Sequence, residues 1–194
     1  MQRNTRCRAR SAAALLMANV QAVVKAFAAE TVNPSEICDQ LNRVLCSNLA
    51  PDKFVTFFYC VIDTFAKTLR YSNAGHCFPL LRRSRGDVEV LRDGGIVLGI
   101  FPDAKYSDTA VQFDPGNKLL LFTDGITEAT NTSGEEYGED RLRQELDDHR
   151  SGETATLHRK LMQDVSEFCQ GNFADDATLV LISFLPSVKA PVIQ

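Results

Sequence analysis

Two acidic turns at the ends of apolar strands hold the residues best suited to chemistry. In LLLFTDGITEA (119–129) an apolar run delivers Asp124 to Gly125. In FADDATLVLISF (173–184) Asp175 and Asp176 stand immediately before another apolar run. A carboxylate at a strand end lies on a rim, and two such turns can hold one hard cation between them, since Mg2+ and Mn2+ take oxygen ligands. Taken alone, each motif also has a plainer reading: Asp-Gly is common turn chemistry, and Asp175-Asp176 can be a solvated turn before a strand.

The remaining reactive residues point to less. His76 stands beside Gly75 and reads first as structural or simply exposed. Cys77 follows it, but no nucleophile motif surrounds it. Glu128 could support the acidic site electrostatically or be a solvated carboxylate, and His149 and His158 fall on polar helix faces. Six cysteines show no metal-ligand spacing, and most sit in apolar runs, which predicts reduced thiols in a cytoplasmic protein. A formal charge of −4 argues against nucleic acid as a main partner. No run is long and apolar enough to predict a membrane span.

The elements that must position these turns read as α+β. Leu16, Val20, Val23 and Phe27 recur at helical spacing over 12–29, and Asn33-Pro34-Ser35-Glu36 reads as a capped start for a second helix carrying Ile37, Leu41, Val44 and Leu45. FVTFFYCVID (54–63) is apolar on both faces and predicts a central strand covered above and below. Three runs from Thr68 to Leu91 predict an antiparallel meander, and 93–104 predicts a structured Gly/Pro-rich loop. Strands over 106–113 and 117–123, joined by Asp114-Pro115-Gly116, predict a pair. Two helices, the second lined by Leu157, Leu161, Val165 and Phe168, then lead to a closing strand over 177–184.

In this order, AALLMANVQAVV, KFVTFFYCVID, LRYSNAGHCFPLL, GIVLGIFPDA, LLLFTDGITEA, EEYGEDRL and DDATLVLISF resemble the SpoIIE/RsbU branch of the metal-dependent (PPM-type, protein phosphatase 2C-like) serine/threonine phosphatases. The resemblance implies a two-layer antiparallel β-sandwich flanked by helices, with a binuclear Mn2+ or Mg2+ centre whose hydroxide attacks phosphoserine or phosphothreonine. Asp124 and Asp175 match metal-ligating aspartates, and Gly125 the turn that aims Asp124 inward. Asp176 would stand behind them, with His76 and Asn73 lining the phosphate pocket. The implied partner is a phosphorylated, anti-anti-sigma-factor-like regulator in bacterial signalling. The first two helices would form a regulatory and dimer-forming element.

The chain also departs from that pattern. The family's first acidic strand has no counterpart, and Thr5, Arg8 and Arg10 stand where an aspartate and two glycines belong in its second acidic turn. The expectation is therefore a basic tail over 1–10, a phosphatase domain over 11–185 that lacks its first strands, and a tail over 186–194. Such a domain keeps ligands for one ion rather than two. The alternative reading is a non-catalytic pseudophosphatase module or a truncated fragment.

Overall fold

The computed structural model describes residues 16–50, 52–148 and 153–185. The basic segment 1–10, the first residues of the opening helix, His149 and the tail from 186 lie outside the described residues. Helix α1 (16–27) is followed by α2 (Pro34–Asn48). Pro34 occupies the first turn of α2, and Glu36 is held by Asn33 Nδ2 at 2.8 Å and Thr31 Oγ1 at 2.5 Å. Glu36 thus reaches back as predicted, but to two side chains, and Asn33 itself makes no side-chain cap bond. These bonds hold the Glu36 carboxyl below its ordinary pKa.

The strands form two sheets flanked by helices, the predicted α+β class. The first sheet runs β1 (Phe57–Asp63), β2 (Thr68–Ala74), β5 (Gly94–Gly95), with β6 (Thr109–Gln112) also on β2. The second runs β4 (Val88–Val90), β3 (Leu80–Arg82), β7 (Lys118–Phe122), β8 (Leu179–Ser183), antiparallel throughout. Three strand expectations change. The meander divides, because β2 belongs to the first sheet and β3 and β4 to the second. β6 and β7 likewise part company across the turn at Asp114–Gly116. Among the described residues β1 lies at the end of its sheet rather than the centre, and Phe57–Ile62 are all only half-buried.

The chain divides into two units. The first comprises Met1–Val61, Arg70–Gly75 and Asp93–Ala110. Here Val20 of α1 and Cys38, Leu41 and Leu45 of α2 pack with Ala74, Leu98 and Tyr106. Buried Asn42 fastens the 99–101 loop, donating to the Phe101 carbonyl at 2.8 Å and accepting from the Gly99 amide at 2.9 Å. β5 runs parallel to β2, with Asn73 opposite Gly94. A Cβ on Gly94 would fall 1.9 Å from the Asn73 carbonyl oxygen, so only glycine permits that approach.

The second unit comprises Ile62–Leu69, His76–Arg92 and Val111–Gln194. Its helices are α3 (Asp124–Thr127), α4 (Gly138–Asp148) and α5 (Thr154–Phe168). Leu142 and Leu146 of α4 and Leu157, Leu161 and Val165 of α5 close over Leu80, Leu120 and Phe122. Tyr137 donates to Asp164 at 2.5 Å, and its phenol is pushed up by burial and by that bond. His158 meets the Leu179 carbonyl at 3.0 Å, a structural tie from α5 to the start of β8.

Candidate metal-dependent phosphatase site

β7 and β8 place the two acidic turns together. The pairing of Phe122 with Leu179 ends the regular ladder, and Thr123 carries it one step further. The Thr123 amide donates to the Thr178 carbonyl at 3.0 Å, while Thr123 Oγ1 accepts from the Thr178 amide at 2.9 Å and donates to the Asp176 carbonyl at 3.0 Å. One threonine therefore clasps both sides of the second turn. Asp124 opens α3 directly beyond it.

Gly125 serves this junction for a reason the sequence did not disclose. It is buried, and a Cβ there would lie 2.6 Å from the Asp176 carbonyl oxygen and 2.9 Å from its carbon. Its φ is not among the positive ones, so close approach of the two turns, rather than a left-handed bend, requires glycine. Asp124 Oδ1 accepts from the Gly125 amide at 2.9 Å, and Asp175 Oδ1 accepts from the Asp176 amide at 2.7 Å. Both side chains are exposed, and neither forms an ion pair among the described residues. Each carboxylate is thus oriented through one oxygen by its own turn.

His76 lies in the same unit, within electrostatic reach of Asp124. Burial lowers its pKa, and the charge of Asp124 acts in the opposite direction. Cys77 is raised by burial and by Asp124, Glu139 and Glu128, which keeps the thiol protonated and unsuited to a nucleophile's role. Glu139, at the start of α4, contributes to this negative field although nothing in its helical sequence context marks it for such a part. Asn73 lies in the first unit, buried on β2. Asp176 contributes its backbone to the clasp, while its side chain is exposed.

The donor set suits a hard divalent ion, since both turns offer carboxylate oxygens. Among the described residues no group of three or more His, Cys, Asp or Glu side chains gathers to hold a metal. Asp124 and Asp175 supply oxygen donors of the kind such an ion takes.

The two sheets, their flanking helices and the paired acidic turns define a protein phosphatase 2C-like domain of the serine/threonine phosphatase class. The model of the family Stage II sporulation protein E (SpoIIE) matches residues 11–185, and the chain belongs to that family. It is 31% identical over 130 residues to Protein IcfG of Synechocystis sp., covering 66% of this chain and 20% of that protein. It is 26% identical over 172 residues to phosphoserine phosphatase RsbU of Bacillus subtilis, covering 88% of this chain and 51% of that protein. The chain thus spans between a fifth and about half the length of these curated relatives. The SiaA-PP2C domain of Pseudomonas aeruginosa superposes with a TM-score of 0.78 at 20% identity, covering 88% of this chain and 70% of that one, a likeness of fold. A structure of RsbX in complex with magnesium superposes at 0.58 with 17% identity, covering 84% of this chain and 70% of that one. No helix among the described residues is long and apolar enough to cross a membrane.

Proposed function

We propose that this chain is the phosphatase domain of a signalling protein and removes phosphate from phosphoserine or phosphothreonine on a protein substrate, with Asp124 and Asp175 holding a Mn2+ or Mg2+ ion. The observation that carries this reading is the clasp of Thr123 and Gly125 on Asp176 and Thr178, which joins two exposed carboxylates that form no ion pair among the described residues. When bound, such an ion supplies charge neutralisation for the phosphoryl oxygens and lowers the pKa of water. The protein's part is to orient the carboxylates through the Gly125 and Asp176 amides and to keep the turns in register through Thr123. On this reading Asp176 stands behind the donors and His76 lines the phosphate pocket, within electrostatic reach of Asp124. Asn73 keeps its proposed place at the phosphate pocket on resemblance alone.

By resemblance to the family, the proposed substrate is a small phosphorylated regulator of the anti-anti-sigma-factor kind. The described cysteines are all free thiols, which supports a reducing, cytoplasmic setting. The test is phosphate release from a phosphoserine peptide by the 194-residue chain, with and without Mn2+, beside Asp124→Asn. Metal-dependent release that vanishes in the variant supports the reading. A folded protein with no release sinks it and leaves the non-catalytic module, which the lack of a third gathered donor among the described residues favours.

A further inference from the structure

The end of the second sheet that carries the acidic turns also carries an exposed arginine. β4, β3 and β7 are neighbours, and Leu80 of β3 stands opposite both Val90 of β4 and Leu120 of β7. The β3–β4 pairing runs on toward the site, because the Leu91 amide donates to the Pro79 carbonyl at 2.9 Å. One step further Arg92 meets Phe78, with its guanidinium carbon 4.8 Å from the centroid of that half-buried ring. On β7 the residue level with Phe78 is Phe122, and Asp124 follows two residues later. Arg92 therefore stands at the same rim as Asp124, two strands across.

Arg92 is exposed and forms no ion pair or side-chain hydrogen bond among the described residues. The carboxylates close to it in sequence are engaged elsewhere: Asp93 accepts from Tyr71 at 2.9 Å, and Glu89 pairs with Arg83. An aromatic face beneath a guanidinium holds it in place while its N–H groups can still fork onto a carboxylate. The rest of this rim is acidic, with Asp124, Glu128, Asp175 and Asp176 exposed. A fixed positive charge here supplies what the turns do not, an attraction for an acidic partner.

We propose that Arg92 reads an acidic side chain of the phosphoprotein, an Asp or Glu close in sequence to the phosphoserine. This inference rests on the phosphoprotein-binding part of the proposed function. Two strand spacings, about 10 Å, separate β4 from β7, and an extended substrate covers that distance in about three residues. The residue read thus lies about three positions from the phosphoserine. Phe78 keeps the guanidinium at that distance, stacked on the ring rather than paired with Asp124 or Asp175.

The test is fluorescence anisotropy of labelled peptides with the 194-residue chain in Mn2+, each peptide carrying the non-hydrolysable phosphonate analogue of phosphoserine. One peptide bears Asp about three residues to either side of the analogue, a second bears Ala there, and a third bears Lys. Arg92→Ala, Arg92→Glu and Phe78→Leu run alongside, with melting temperatures to show that each is folded. The wild type is expected to bind the Asp peptide about fivefold more tightly than the Ala peptide. That preference should vanish in Arg92→Ala, turn toward the Lys peptide in Arg92→Glu, and weaken in Phe78→Leu. A wild type without the preference, an equal preference in folded Arg92→Ala, or no binding of any peptide would each overturn the proposal. Preference without phosphate release from the matching phosphoserine peptide would sink the phosphatase reading and leave the role of Arg92 standing. Release without preference would do the reverse.

Discussion

In the second unit, α4 and α5 cover Leu80, Leu120 and Phe122, the terminal β4 is short and charged, and the loops beyond β7 and before β8 are fastened to each other by Thr123. In the first unit, two helices pack inward on a smaller cluster, while β1 is flanked by β2 alone among the described residues, and Phe54, Ile96, Ile100 and Phe101 are exposed. The contrast teaches that a site and the surface around it can be completed to different degrees in one chain. The acidic turns are positioned by local ladder geometry at the ends of β7 and β8.

Perturbations of each unit can break this contrast. The largest effect is expected from Asp175→Asn, which leaves the clasp intact because the Thr123 bonds go to the backbone. Metal-dependent phosphate release should fall by at least about 100-fold with an unchanged melting temperature. A large loss of stability would show that Asp175 is structural instead. Next comes Leu161→Ala, at a site 1% exposed, which should cost about 2–5 kcal/mol in denaturant unfolding. A loss below about 1 kcal/mol would show that the second unit's core is less well packed than the structure indicates.

Gly125→Ala sharpens the comparison at the junction itself. The added methyl meets Asp176 backbone, which cannot swing aside like a long side chain. Mn2+ affinity should weaken by about tenfold, and stability should fall by about 1–3 kcal/mol. Unchanged affinity would mean that the closeness of the two turns is irrelevant to the ion. The smallest effect concerns the first unit. Burial raises the thiol pKa values of Cys38 and Cys60 from 9.0 to about 11. Their contribution is therefore fully present below pH 9 and is lost as pH rises through about 11, because the unfolded thiols ionise first. Unfolding free energy measured across that range should decline, and the decline should shrink in Cys60→Ser.

Much of the fold is legible in the residues. Both helices that open the chain, the strands around the acidic turns and α5 follow from apolar periodicity and from punctuation by Pro34, Gly125 and Asp175. Strand partners are less legible. Asp114-Pro115-Gly116 reads as a hairpin, yet the Gly116 amide donates to the Phe184 carbonyl at 2.7 Å and the turn passes the chain from one sheet to the other. β1 illustrates a deeper limit. A pattern apolar on both faces states that a strand needs cover above and below, and it says nothing about whether the same chain supplies it. At Gly125 the sequence suggests a tight turn, and the structure adds a close approach to the Asp176 backbone that leaves the same letter.

Titration of Mn2+ into the purified chain, followed by calorimetry and by the electron paramagnetic resonance of free Mn2+, tests the central claim most directly. The account predicts one ion bound per chain, with binding lost in Asp124→Asn and in Asp175→Asn while both variants remain folded. Absence of binding by the folded wild type, or binding unaltered by either substitution, would contradict the claim that these two turns form the metal site.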